Sequence, residues 1–126
     1  MPFDLSRTYV HLAADGTSSA LPGGEQFWSL PAAELAKHGE GWLVSEFECC
    51  ANWPTWEMHP GGDEFVYLLT GRVTMILESG GEREFFDLTD RGALVIPKGV
   101  WHTASVLAPS RMLFITRGAD TLHRSA

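Results

Sequence analysis

The stretch from Trp56 to Gly71 constrains this chain more than any other part of its sequence. It begins with Glu57 and His59, which are two residues apart, so in an extended segment both side chains point to the same face of a sheet. A Pro-Gly-Gly turn then reverses the chain, because proline fixes its φ and glycine accepts backbone angles that other residues avoid. The apolar run 65–69 is rich in β-branched and aromatic residues and predicts the returning strand. The stretch therefore predicts two strands joined by a turn that carries candidate metal ligands.

Further candidate ligands lie beyond this turn. Asp63 and Glu64 follow it directly, and alternation along a strand puts them on opposite faces, so only one of them can point inward. The segment 92–102 supplies another histidine, His102, just after a Pro-x-Gly turn. A metal site draws its ligands together from distant segments such as these.

At these residues the sequence resembles the cupin superfamily, whose first motif is a glycine, five residues, His-x-His, three or four residues, Glu, six residues and Gly. His59 stands at the second histidine, and Glu64 follows it after four residues. Gly71 follows Glu64 after the required six residues, and this spacing selects Glu64 over Asp63 as the inward carboxylate. The second cupin motif is a glycine, five residues, Pro-x-Gly, two residues and His. It is met by Pro97, Gly99 and His102.

Three positions depart from the two motifs, within a resemblance that covers roughly Gly41 to Arg117. Glu57 stands where the first histidine is expected. Arg91 stands where the second motif begins with glycine, and Gly92 comes one place late. Val106 replaces a frequent asparagine. Only the first departure touches the ligand set, whereas the others concern turn geometry.

The resemblance implies an all-β, single-domain barrel of the cupin type, a jelly roll, with a metal site made of Glu57, His59, Glu64 and His102. Such nitrogen and oxygen ligands suit a divalent Mn, Fe, Ni or Zn ion, and the sequence does not choose among these metals. Glu57 adds a negative charge in place of an imidazole, which favours harder cations and lowers the net charge of the loaded site. The alternative is a metal-free pocket, in which protonation relieves the repulsion between two enclosed carboxylates.

Two functions of different classes follow from this site. One is a metal-binding cupin-fold protein with a small-molecule pocket and no assigned activity. The alternative is a metal-dependent dioxygenase, isomerase or lyase acting on a small oxygenated substrate. Ala104 and Val106 share the inward face with His102 and predict a small apolar pocket floor. Three histidines lie outside the motifs and receive no catalytic role: His11, His38 and His123.

The order of the segments predicts an N-terminal arm at 1–40, a barrel at 41–117 and a polar tail at 118–126. Within the arm, 31–38 predicts a short helix, with Gly39 suited to the position past its end. Turn signals separate about eight predicted strands, as in a jelly roll. Besides the extended segment that carries Glu57 and His59, they include 9–12, 42–49, 65–69, 73–77, 83–88, 94–96, 103–107 and 112–116. We expect the tail from Asp120 onward to be disordered, with His123 at its surface.

Composition and length limit the class of protein. A chain of 126 residues forms one domain. The net charge of −7, with nine scattered Lys and Arg residues, argues against a nucleic-acid partner. No apolar run approaches the roughly 18 residues that span a bilayer, and 1–7 lacks the regions of a signal peptide, so we expect a cytoplasmic protein with no membrane partner. The adjacent Cys49 and Cys50 cannot form an ordinary structural disulfide, in agreement with a reducing compartment.

The expected assembly is a homodimer that also binds a small molecule. A small barrel with open strand edges favours pairing across a two-fold axis. The cupin resemblance further suggests that a strand at 9–12 pairs with a second subunit. Trp56 and Trp101 each precede a candidate ligand, so their side chains should face away from it. We expect both indoles to pack outside the barrel or at a subunit contact.

Overall fold

The computed structural model describes residues 1–38 and 40–126, and these form nine β-strands and two short helices. The strands are β1 (Thr8–Leu12), β2 (Ser18–Pro22), β3 (Trp42–Cys49), β4 (Thr55–Met58), β5 (Glu64–Ser79), β6 (Glu82–Thr89), β7 (Ala93–Ile96), β8 (Trp101–Thr116) and β9 (Leu122–Ser125). The helices are α1 (Glu25–Trp28) and α2 (Ala32–Lys37). The predicted all-β jelly-roll barrel is therefore confirmed.

Two long antiparallel strands, β5 and β8, carry the rest of the barrel. Their ladder runs from the pair Glu64 and Thr116 to the pair Glu78 and Trp101. Along its length β5 also pairs with β7 and β6, and β8 pairs with β3 and β4. The sequence divided each long strand into two, which was wrong. Gly71, at φ 106°, lets β5 bulge and continue where the end of one strand and the start of another were expected.

The main core lies inside the barrel because side chains alternate between its two faces. Along β5 the inward positions are buried: Val66, Leu68, Val73, Met75 and Leu77. The facing strand β8 contributes Ala104, Met112 and Phe114 to the same cluster. Cys49 is buried, Cys50 is exposed, and both are free thiols.

The N-terminal arm packs on the barrel through a smaller cluster of its own. Tyr9 of β1 and Phe27 of α1 contact Leu43 of β3 there. Because β1 is hydrogen-bonded to β2 on one side and to β3 on the other, neither edge is open to a second subunit, and that suggested pairing was wrong. The predicted helix is present as α2, while Gly39 lies outside the described residues. None of the described helices has the length and hydropathy needed to cross a membrane.

The C-terminal tail was expected to be disordered, and this prediction was wrong. Leu122–Ser125 forms β9, which pairs with β4 in antiparallel register. The Arg124 guanidinium lies 5.0 Å from the ring centre of Trp56 and 4.6 Å from that of Trp101, and it forms an ion pair with Glu78. Hydropathy could not reveal this strand, because cation–π and ionic contacts hold it in place. Both indoles face outward, as expected, and β9 covers Trp56.

Candidate metal centre

The two turns predicted to carry ligands lie against each other at one end of the barrel. The Gly99 N–H donates to the His59 carbonyl oxygen at 3.1 Å. Asp63 Oδ1 accepts a hydrogen bond from the Lys98 N–H at 2.8 Å, so this exposed carboxylate joins the turns. Glu64 points inward with a relative exposure of 4%. Alternation along β5 thus separates a carboxylate that fixes the turns from one that enters the site.

The structure brings together the four side chains that the sequence proposed as ligands. Glu64 lies between the imidazoles, with Oε2 3.3 Å from His59 Nε2 and Oε1 3.2 Å from His102 Nε2. Glu57 Oε2 lies 3.8 Å from His59 Nε2. One ligand atom from each of Glu57, His59 and His102 falls within 4.8 Å of the others. This group could hold a metal ion.

Hydrogen bonds on the far side of each imidazole fix its tautomer. His102 Nδ1 lies 3.1 Å from the Val100 carbonyl oxygen, which only accepts, so Nδ1 carries the proton. His59 Nδ1 lies 2.8 Å from Thr121 Oγ1, and that hydroxyl donates to the Gly118 carbonyl at 2.8 Å. The hydroxyl therefore accepts from His59 Nδ1–H. In the neutral ring each Nε2 then presents its lone pair to the site, as in metal-bound histidines.

Three buried polar atoms in the site have no hydrogen-bond partner. They are His59 Nε2, His102 Nε2 and Glu64 Oε1. The second carboxylate oxygen, Glu64 Oε2, accepts a hydrogen bond from the Thr116 hydroxyl. A buried polar atom left unpaired costs about 1–3 kcal/mol. A divalent cation would satisfy all three atoms at once, whereas a proton added to His102 Nε2 would satisfy that nitrogen and Glu64 Oε1 and leave His59 Nε2 unpaired.

The same contacts shift the pKa values of Glu64 and His102. Burial raises the pKa of Glu64, but close polar contacts with His102 and His59, and their charge, outweigh it and hold the pKa at about 2. Burial lowers the pKa of His102, yet Glu64 and the Val100 carbonyl outweigh it, and the pKa is raised above 6.5. In the metal-free protein the stabilisation from Glu64 is present above about pH 4.5 and is lost as the pH falls towards 2. The stabilisation from His102 is present below pH 6.5 and is lost as the pH rises through the raised pKa.

The sequence missed two side chains that the C-terminal segment contributes. Thr121 orients His59, and His123 Nε2 lies 3.4 Å from Glu57 Oε1. Glu57 is paired with His102 across one edge of β4 and with His123 across the other. The only signal was a histidine within a segment that was interpreted as disordered. His123 is half exposed, in agreement with its predicted surface position, and it also contacts the candidate ligand Glu57.

A cavity of about 900 Å³ opens beside these ligands. Its wall comes from α1, α2, β3 and the C-terminal segment, and it reaches Glu57, His59 and Glu64. His38, which the sequence left without a role, also lines it. The expected pocket floor was wrong, because Ala104 and Val106 belong to the barrel core instead.

Solved structures of low sequence identity share this fold. A cupin superfamily protein from Desulfitobacterium hafniense matches with a TM-score of 0.51 and 21% identity, over 60% of this chain and 65% of that one. The hydroxypropylphosphonic acid epoxidase of S. wedmorenis matches with a TM-score of 0.52 and 12% identity, over 60% and 42%. An oxalate oxidase matches with a TM-score of 0.55 and 16% identity, over 64% and 45%. This chain therefore spans less than two thirds of each, and what it shares with them is the cupin fold.

No protein-family model matches the sequence, and no curated protein matches it.

Proposed function

We propose that this cupin-fold chain binds one divalent metal ion through Glu57, His59, Glu64 and His102. The observation that supports this most strongly is the set of three buried polar atoms that face one another unpaired. Both imidazoles use their Nδ1–H groups outside the site, so neither neutral ring can donate to Glu64. A cation accepts every lone pair that the fold directs inward.

The ligands differ in their expected strength. His59, His102 and Glu64 are buried, whereas Glu57 is 30% exposed and lies 3.8 Å from His59 Nε2. Two imidazoles and one carboxylate with open positions form the arrangement that non-haem iron sites use. Fe(II) forms of the epoxidase are among the similar structures, which makes iron a good first metal to test beside Mn, Ni and Zn.

The test compares metal content in two double variants that each lose two histidines. His59→Ala with His102→Ala removes the proposed nitrogen ligands, and His11→Ala with His38→Ala is the control. After dialysis against equal concentrations of the four metals, the wild type and the control should retain about one metal ion per chain, and the site variant none. Equal content in all three proteins would place the metal elsewhere, and none in any would favour the metal-free pocket.

An enzyme is the second candidate, because the cavity gives a small molecule direct access to the ligands. The activity would be that of a dioxygenase, isomerase or lyase acting on a small oxygenated substrate. His123 beside Glu57 adds an acid–base group at the cavity edge. Oxygen uptake by iron-loaded protein, and product analysis with a panel of diols and keto acids, would test this. Turnover that survives in the His59→Ala, His102→Ala variant would exclude this site as its origin.

We also propose a homodimer, with a new argument for the surface involved. Five apolar residues stand in one register row across β1, β3, β8, β5 and β7, namely Val10, Val44, Ile115, Phe65 and Val95. None of the five is buried, and Phe65 and Val95 are 36% and 55% exposed. Since two copies of net charge −7 repel each other, an apolar row without charges is the surface where they can associate most easily.

Light scattering at micromolar concentration tests this assembly. The wild type should have twice the mass of one chain, and Ile115→Lys should have the mass of a single chain. Leu107→Lys is the control, because Leu107 is exposed, as Phe65 and Val95 of the row are, but lies outside the row. A monomeric wild type would refute the dimer, and a dimeric Ile115→Lys would refute this surface.

A cytoplasmic location is the remaining proposal, and it rests on the two free thiols of Cys49 and Cys50. Fractionation of cells that express the tagged protein would test it, and recovery outside the cytoplasm would count against it.

A further inference from the structure

The cavity beside the proposed ligands is walled mainly by apolar and aromatic side chains. The helices of the N-terminal arm contribute Phe27, Trp28 and Leu35. The barrel contributes Phe47, Trp53 and Phe114, whose rings pack together, with Phe47 stacked on Phe114 at 4.7 Å between ring centres. A volume of about 900 Å³ is far larger than a metal ion needs and is within the range of small-molecule sites. An occupant would therefore bury an apolar body against rings that are already ordered.

The described part of the cavity wall holds acidic side chains and imidazoles but no permanently cationic side chain. The carboxylates are Glu57, Glu64 and Asp120, the imidazoles are His38, His59 and His123, and neither Lys nor Arg is present. A bound divalent cation would cancel two negative charges, which leaves Asp120 uncompensated. An anionic ligand would lose its hydration without gaining a lysine or arginine partner, and burying an unpaired charge is costly.

We infer that the cavity takes an uncharged small molecule with an aromatic or aliphatic body and a hydroxyl or carbonyl oxygen at its metal-facing end. This inference rests on the proposed function, since the oxygen is directed to the ion held by Glu57, His59, Glu64 and His102. It also separates this chain from two of the similar structures, which are named for the acidic compounds oxalate and hydroxypropylphosphonic acid. Replacing an imidazole by Glu57 contributes to the difference, because it lowers the charge of the loaded site by one unit.

Two probes of similar size and different charge test the ligand class. The neutral probe is 2-hydroxy-1-phenylethanone, and the anionic probe is benzoylformate, which keeps the phenyl ring and the ketone. Calorimetric titration of zinc-loaded protein should give at least about tenfold tighter binding of the neutral probe. Trp53→Ala should weaken that binding, because Trp53 forms part of the cavity wall.

A pair of charge-reversal variants separates the local field from the net charge. Asp120→Lys places a cation at the cavity and should narrow or reverse the preference between the probes. Glu84→Lys changes the net charge equally on the exposed strand β6, outside the cavity, and should leave the preference unchanged. If both variants change the ratio of the two probe affinities equally, the charges that line the cavity do not select the ligand.

The outcomes distinguish failure of this inference from failure of the metal proposal. If protein with one zinc ion per chain binds benzoylformate as tightly as the neutral probe, or binds neither, the inference is overturned while metal binding stands. If no zinc binds, the metal proposal fails, and the same titrations are read in the metal-free protein. There the uncancelled carboxylates should strengthen the neutral preference, and its absence would overturn the inference as well.

Discussion

Thr121→Val is the most informative single substitution, because it acts on a proposed ligand without replacing it. The change keeps the side-chain volume and removes the hydroxyl that accepts from His59 Nδ1–H and donates to the Gly118 carbonyl. His59 is only 6% exposed, so its N–H has little access to water as a substitute. The orphaned donor should cost about 1–3 kcal/mol of unfolding free energy. Loss of the orienting partner should also weaken metal binding by about 10- to 100-fold.

Thr103→Val is the control for this experiment. Thr103 is more deeply buried than the half-buried Thr121, and its hydroxyl donates to the Thr55 carbonyl at 2.9 Å without touching a proposed ligand. It should cost about 1 kcal/mol of stability and leave metal affinity unchanged. Thr121→Ser, which restores the hydroxyl, should recover most of the affinity.

Two assays separate the effects on stability and on metal binding. Urea denaturation of chelator-treated protein reports stability, and competition with a chromogenic chelator reports zinc affinity. If both Thr121→Val and Thr103→Val are destabilised but bind zinc as tightly as the wild type, the orienting role of Thr121 is refuted. A loss of affinity in both variants would instead indicate a general loosening of the barrel.

Three further predictions concern the pH dependence, the C-terminal strand and the β-bulge. In metal-free protein, denaturation at a series of pH values should show greatest stability between about pH 4.5 and 6.5, because the pKa of Glu64 is lowered and that of His102 is raised. Added zinc should move the pH of greatest stability upward. A stability maximum above pH 8 in metal-free protein would contradict these pKa shifts. Arg124→Ala removes contacts to two indoles and one carboxylate and should lower the free energy of unfolding by about 1–3 kcal/mol, with faster amide hydrogen exchange in β9. Unchanged exchange would mean that the backbone hydrogen bonds between β4 and β9 are enough to hold the strand. Gly71→Ala should lower the free energy of unfolding, measured by thermal denaturation, by more than about 2 kcal/mol. The reason is that φ is 106° at this position and the new Cβ would lie 2.7 Å from the Pro109 carbonyl oxygen. A smaller decrease would show that the bulge relaxes easily.

Local spacing explains why much of the site was predictable from the sequence. Strand alternation put Asp63 and Glu64 on opposite faces, and the spacing of the cupin motifs selected Glu64 as the inward one, as the structure has it. The same resemblance selected His102 after the Pro-x-Gly turn, and it lies at the start of β8. These patterns depend on residues within a few positions of one another, where backbone geometry decides the direction of a side chain.

The contributions of distant segments were not predictable in this way. Thr121 and His123 reach the site from a short polar strand that carries no hydrophobic pattern. The predicted position of the cavity was wrong for a related reason. The cavity wall includes helices of the N-terminal arm, whose packing depends on residues far along the chain. The departure from the cupin motif at Arg91 did not prevent the turn from forming. Arg91 adopts φ 68° at the position where the motif has glycine, so a residue with a side chain is accommodated there.

The position of the site along the long ladder has a consequence for folding kinetics. Glu64 pairs with Thr116 at one end of the β5–β8 ladder, and His102 pairs with Leu77 near the other end, yet Glu64 Oε1 and His102 Nε2 lie 3.2 Å apart. The ladder must therefore curl until its ends meet, and the ligands mark the seam where the barrel closes. Contacts that form last are absent from the transition state for folding. We expect a bound metal to leave the refolding rate nearly unchanged and to lower the unfolding rate, because the ion stabilises a barrel that has already formed.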